Sequence, residues 1–141
     1  MTRLTRIRPE FVTFAPDELE MGVLYVSMEY ATVLHLCCCG CGNQVVTPLA
    51  PARWHLTFDG ESISLNHSIG NWSFLCQSHY WIEGNKVLWD RPFTPTQIAG
   101  VRASDRRAMQ QQGASRQDDA SEGKFSPRQS WIERVRRFFC R

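Results

Sequence analysis

Hydrophobic and β-branched side chains recur through residues 9–92 in short runs, each bounded by Gly, Pro, Asp or Asn. Runs of four to eight with polar residues between them are the pattern of strands, since a core-facing helix would repeat every three to four positions over a dozen or more. The runs are Glu10–Phe14, Gly22–Met28, Thr32–Leu36, Gln44–Thr47, Trp54–Phe58 and Ser62–Leu65. Between the last two, Asp59-Gly60 supplies a hairpin turn of type I′, which needs positive φ at both central residues. Trp54, Leu56 and Phe58 fall on one face, with Ile63 and Leu65 opposite. Tyr80–Trp89 repeats the arrangement around Gly84-Asn85 and is expected to form a closing hairpin. The pattern predicts a mainly β fold, compact and antiparallel, over residues 1–92.

After Trp89 the composition changes. Pro92 and Pro95 interrupt the strand pattern, and Ala103–Ser126 is rich in Gln, Ser, Asp and Arg with almost no large apolar residue to bury. Residues 93–125 are therefore expected to be a flexible polar linker. A helical period returns over 126–141, with Ser126 as N-cap, Pro127 in the first turn, and Trp131, Ile132, Val135, Phe138 and Phe139 along one face. This short basic amphipathic helix is expected to dock on its own domain or on a partner; an anionic membrane or nucleic acid is the weaker alternative.

Charge follows the same division. Residues 1–92 carry six Lys/Arg against nine Asp/Glu, a net of −3, and residues 93–141 carry ten against five, a net of +5. The acidic β region argues against nucleic acid as the partner. With no apolar run near the ~18 residues of a membrane span and no apolar stretch behind the N-terminus, no transmembrane segment is expected and the reading is a cytoplasmic protein.

The candidate chemistry lies in the cysteines. Cys37, Cys38, Cys39 and Cys41 fall within five positions, Cys76 follows in a Cys-x-x-His pair with His79, and Cys140 stands apart. Adjacent cysteines pair poorly as disulfides, whereas Cys-x-x-Cys and Cys-x-Cys on a Gly-containing turn direct thiolates to one side. The two groups, closed on each other by the β fold, suit one structural Zn²⁺. Cys37, Cys39, Cys41, Cys76 and His79 compete for four positions. The expected set is Cys39, Cys41, Cys76 and His79, with Cys37 in reserve; buried free thiols and an iron–sulfur cluster are the alternatives.

At these residues the chain resembles a known family. His35-Leu36-Cys37-Cys38-Cys39-Gly40-Cys41-Gly42, Ser64–Trp72 and Cys76–Ile82 are similar to the small bacterial BubE-like proteins, encoded beside ubiquitin-like proteins and E1- and E2-like enzymes. The likeness spans about residues 20–92. It departs where the family carries proline at the positions of Cys38 and, often, His67; the first makes Cys38 an unsuitable ligand and the second leaves the backbone before Ser68 less constrained. The resemblance implies a peptidase that uses a serine nucleophile at the C-terminus of a ubiquitin-like protein, with that protein and E1/E2-like enzymes as partners.

Weighed singly, Ser68 follows a strand in a Gly-containing turn whose N–H groups could stabilise an oxyanion, although a serine in a turn ordinarily bonds its own backbone. Ser78, between Cys76 and His79, is the rival nucleophile. The base must lie within hydrogen-bond reach. His35 is the expected one, and His79 becomes available if Cys37, Cys39, Cys41 and Cys76 take the metal. Asn71 could orient a base, and no carboxylate stands out as a third member. The competing function is a zinc-stabilised protein-binding module without chemistry, with Trp54, Trp72, Trp81 and Trp89 as its recognition surface.

Overall fold

The computed structural model describes residues 2–122, with side chains through residue 114. Two compact units divide the chain, Met1–Arg106 and Arg107–Arg141. The first carries two four-stranded sheets. One is built from β1 (Arg8–Phe11), β2 (Val23–Ser27), β3 (Thr32–Leu36) and β4 (Gln44–Pro48), the other from β5 (His55–Phe58), β6 (Ile63–Gly70), β7 (His79–Glu83) and β8 (Lys86–Trp89). In both, the spatial order is the chain order. All pairs are antiparallel except β1 with β2, which run parallel.

Alternation sets the burial. Val33 and His35 of β3, Ile63 and Leu65 of β6, and Tyr80 and Ile82 of β7 turn inward, while their strand neighbours are half-buried or exposed except His79, which is buried on the opposite face. Ile7, Leu24, Val26, Val33 and Val45 join Ile63, Leu65, Ile69, Tyr80, Ile82 and Val87 in one apolar core that draws on both sheets. The N-terminal segment stitches the sheets together. Thr5 C=O accepts from Val87 N–H at 2.9 Å and Ile7 N–H donates to Asn85 C=O at 2.9 Å, after which the same strand moves across to pair with β2.

The turns divide on their chemistry. Gly84 and Asn85 both take positive φ (53° and 64°), as a two-residue type I′ turn requires. Asp59-Gly60 instead opens a four-residue loop, Asp59–Ser62, because the Asp59 carboxylate accepts the N–H of Glu61 (2.9 Å) and of Ser62 (2.6 Å). Those two bonds hold its carboxyl down at about 2.

Two elements differ from the sequence expectation. β6 runs on to Gly70 because Asn66–His67–Ser68, a turn-like triplet, is accommodated as a bulge: Leu65 pairs with Ile82 and Ile69 with Tyr80, so three residues face Trp81 alone. His67 supplies the kink at φ 81°, a conformation closed to proline. Residues 93–125, expected as a linker, carry helix α1 (Pro95–Glu122). A reciprocal cap opens it, with Gln97 Oε1 accepting from Thr94 N–H (2.8 Å), Thr94 Oγ1 accepting from Gln97 N–H (3.3 Å), and Pro95 in the first turn. Composition without an apolar stripe signalled a linker, but Ala, Arg, Gln and Met are good helix formers. The helix expected over 126–141 lies outside the described residues.

Fully buried Ile82 and its exposed neighbour Glu83 give a direct check on the register. Ile82→Ala is expected to cost about 2–5 kcal/mol in denaturant unfolding, and Glu83→Ala to stay within about 0.5 kcal/mol.

Candidate active site and metal centre

The loop between β3 and β4 is short and closed on itself. Cys37 N–H donates to Asn43 C=O (2.8 Å), Gly40 N–H donates to Cys37 C=O (3.0 Å), and Gly40 and Gly42 both take positive φ (87° and 81°). This folds Cys37, Cys39 and Cys41 to one side. The loop between β6 and β7 supplies the fourth sulfur: Phe74 N–H to Asn71 C=O and Gln77 N–H to Phe74 C=O, each 3.1 Å, build successive turns that carry Cys76 over the first loop. The Sγ atoms of Cys37, Cys39, Cys41 and Cys76 all lie within 4.8 Å of one another. Cys37 is 3.4 Å from Cys39 and 3.9 Å from Cys76, and Cys41 is 3.8 Å from Cys76. A tetrahedral ion with Zn–S near 2.3 Å sets its sulfurs about 3.8 Å apart, so the four fit a single ion.

The thiols do not share one environment. Burial raises the Cys37 pKa and also that of Cys39, whereas at Cys41 burial, the largest single effect, is outweighed by the combined hydrogen bonds from Asn43 and neighbouring thiols, which bring it to about 7. Cys38 faces the core, fully buried, and burial pushes its thiol to about 12; it stands apart from the four sulfurs.

Behind Cys37 lies a buried polar chain. Ser78 Oγ sits 3.0 Å from Cys37 Sγ and accepts from Asn71 Nδ2 at 2.9 Å; Asn71 Nδ2 also lies 3.4 Å from Cys37 Sγ and 3.5 Å from the Tyr80 hydroxyl. That hydroxyl receives Cys38 N–H (3.4 Å) and lies 2.8 Å from His35 Nε2. Already accepting two N–H groups, it gives its own proton to His35 Nε2, which leaves the proton of the neutral ring on Nδ1, a buried atom without a partner among the described residues. Burial lowers the His35 pKa to about 4, so the ring is neutral at pH 7.

Ser68 belongs to another face. Ile69 and Tyr80 pair and turn inward, so Ser68 and Gly70, on either side of Ile69, turn outward, away from His35. Ser68 is half-buried, and Trp54 Nε1–H donates to its carbonyl at 3.3 Å. His79 shares that outward face, because it pairs with Gly70 and precedes inward Tyr80. Ser68, the last residue of the bulge, precedes Gly70, the partner of His79, by two positions. His79 Nδ1 lies 3.1 Å from the Arg91 carbonyl and 3.7 Å from an Asp90 carboxylate oxygen, and its Nε2 is buried without a hydrogen-bond partner among the described residues. Trp72 and Phe93 enclose the ring, their centroids 5.1 and 4.4 Å from it, and stack on each other at 4.9 Å.

The expected site residues thus fall into three groups. Cys37, Cys39, Cys41 and Cys76 converge, and His79 stands outside them because strand alternation turns it away from the loop that carries Cys76. His35 and Ser78 belong to the buried chain behind Cys37. Ser68 shares its face with His79. The sequence reading missed Asp90 and the Arg91 carbonyl, yet the signal was present: a two-residue turn at Gly84-Asn85 places Glu83 opposite Lys86, and counting back sets His79 opposite Asp90, whose N–H donates to His79 C=O at 3.0 Å.

The sulfur set makes a separable prediction. Replacing Cys37, Cys39, Cys41 or Cys76 by Ser is expected to abolish one equivalent of bound metal in native mass spectrometry and to lower the unfolding midpoint, while Cys38→Ala and His79→Ala retain the metal.

No curated protein and no solved structure matches the chain. A family model does, over residues 11–90, more than half of the sequence, a span that holds Cys37, Cys38, Cys39, Cys41, Cys76, Ser68 and His79. The chain belongs to the BubE family, described as the serine protease of a bacterial ubiquitination-like system.

Proposed function

We infer that the chain is a serine peptidase acting at the C-terminal end of a ubiquitin-like protein, with Ser68 as nucleophile, His79 as general base, and Zn²⁺ held by Cys37, Cys39, Cys41 and Cys76. The observation that carries this assignment is the state of His79. A base for serine needs one ring nitrogen anchored as a donor and the other presented as an acceptor. With Nδ1–H directed at the Arg91 carbonyl, and Asp90 beside it, the lone pair of His79 is on Nε2, on the face that displays Ser68. Ser78 is less suited, since its hydroxyl is buried and already engaged by Asn71 and Cys37. His35 is the weaker base, since burial lowers its pKa to about 4 and its Nε2 is committed to Tyr80.

The chemistry follows. Ser68 Oγ attacks a peptide carbonyl carbon while His79 Nε2 takes the hydroxyl proton; the Arg91 carbonyl and the Asp90 carboxylate stabilise the imidazolium that forms. His79 then returns the proton to the leaving amine, an acyl-serine remains, and a water activated by the same nitrogen hydrolyses it. In the free chain no hydrogen bond joins Ser68 and His79, a looseness common before substrate binds. The metal has no part in bond cleavage in this scheme. Four sulfurs fill a tetrahedral shell and leave no open position for water, which is the arrangement of a structural ion.

Ser68→Ala and His79→Gln are each expected to reduce cleavage of a ubiquitin-like precursor at least 100-fold with metal content and unfolding midpoint unchanged, whereas His35→Gln lowers stability without selectively removing turnover. Precursor processing followed by gel and mass spectrometry reads the first effect, and full cleavage by Ser68→Ala would overturn the choice of nucleophile. Chelation provides the complementary test: loss of one equivalent of zinc together with cooperative unfolding is expected, and a folded apo-protein would contradict the structural role.

A further inference from the structure

β6 is longer than the strand that flanks it. β5 covers β6 only from Ile63 to Asn66, because β5 begins at His55, the partner of Asn66. Beyond that point no strand pairs with this edge of β6 among the described residues, although the Trp54 side chain still meets it at Ser68, and the strand continues to Gly70. The hydrogen-bond alternation shows which groups face the gap. Asn71 N–H donates to Ser78 C=O, so Asn71 and Ser78 are a bonded pair, Ile69 and Tyr80 are the next, and Gly70 opposite His79 is a non-bonded pair whose backbone groups point out of that ladder. His79 agrees, its carbonyl being taken by Asp90 N–H on the β8 side. The Gly70 N–H and C=O therefore face the space that β5 vacates. The Ser68 carbonyl faces the same way, where the Trp54 indole N–H meets it.

We propose that this edge of β6, open at Gly70 beside the Ser68 carbonyl that Trp54 holds, is the acceptor for an added strand, the extended peptide tail on which Ser68 acts. The proposal rests on the serine peptidase reading given above and adds how the substrate is held. Backbone pairing with Gly70 would fix an extended chain within one strand spacing of Ser68. It also limits what the tail can carry. A Cβ at Gly70 would lie 2.3 Å from the Trp72 indole, which therefore covers the outer face of the strand at this point. A cross-strand neighbour of Gly70 projects its own Cβ to the same face, about 4.5–5.5 Å away, toward the same ring and the Phe93 stacked on it. The residue of the tail opposite Gly70 must be small, glycine best of all. A glycine-ended tail, the chemistry that a globular ubiquitin-like substrate can thread under an aromatic pair, satisfies both conditions.

The test uses full-length Ser68→Ala protein and a fluorescent ten-residue synthetic peptide with the C-terminal tail sequence of a bacterial ubiquitin-like protein, titrated beside peptides N-methylated at one position at a time. An added strand donates through every second N–H, so methylation at alternate residues is expected to weaken binding at least tenfold and methylation at the intervening ones less than about twofold. Replacing by leucine the single residue opposite Gly70 is expected to cost a further tenfold or more. A flat methylation profile, a tail that does not bind, or a Gly70 amide already protected from hydrogen exchange in the free protein because its own chain or a second copy fills the edge would each overturn the proposal. Cleavage of the unmethylated tail fused to its ubiquitin-like domain by the wild-type protein reads the serine separately. Cleavage with a flat profile removes the added strand and spares Ser68, whereas a period-of-two profile without cleavage removes Ser68 and spares the added strand.

Discussion

The convergence of four thiols on one point is the constraint on which the rest of the fold depends. Cys37, Cys39 and Cys41 come from the loop that ends one sheet's β3, and Cys76 from the loop that leads into β7 of the other. Sulfurs 3.4 to 3.9 Å apart gain little from one another as neutral thiols and repel as thiolates, so a cation is the natural means of holding them. Held together, they fasten the two sheets at one end, while the N-terminal segment fastens them along β8. The core between them is modest for two sheets, and a small β domain gains most from such a fastening, since metal-binding free energy is folding free energy wherever the site does not pre-exist in the unfolded chain.

That fastening also determines what β6 and β7 can do. The Cys76 loop begins at Asn71 and ends at Ser78, and their own backbone bond closes it. Gly70 and His79 are the next pair along, so the placement of Cys76 fixes the register of the residues that flank the candidate catalytic face. The buried chain from Cys37 through Ser78 and Asn71 to Tyr80 and His35 extends the same order into the core. Inward-facing groups thus set the geometry, and the outward-facing ones, Ser68 and His79, are free of structural hydrogen bonds through Oγ and Nε2 among the described residues.

Much of this was legible in the sequence. The alternation of Trp54–Phe58 against Ile63–Leu65 gave the pairing of β5 with β6, and Gly84-Asn85 gave the turn between β7 and β8. The cysteine spacing gave the two loops, but a choice of four ligands from five candidates depends on which way His79 faces, and that is decided by a strand beginning at His79, not by its distance from Cys76 along the chain. The bulge was hidden because Asn66–His67–Ser68 reads equally as a turn, and only the pairing of Ile69 with Tyr80 reveals that the strand resumes. Helix α1 was hidden for the opposite reason: its residues favour a helix individually yet form no apolar stripe, and the reciprocal Thr94–Gln97 cap was outweighed by composition.

With His79 as the base proposed above, its aromatic cover acquires a role. A base that exposed Nε2 to bulk water would spend part of its time bonded to solvent, and the imidazolium formed during attack would be stabilised by water that must reorganise with each turnover. Trp72 and Phe93 exclude that water from the ring while Arg91 C=O and Asp90 supply fixed negative ends at Nδ1. The same cover makes Gly70 necessary, because only a residue without Cβ leaves space for the indole over the strand. One ring therefore links the enclosure of His79 to the identity of the strand residue beside it: a larger side chain at Gly70 would displace Trp72, admit water to His79 and disturb the edge beside Ser68 in a single change.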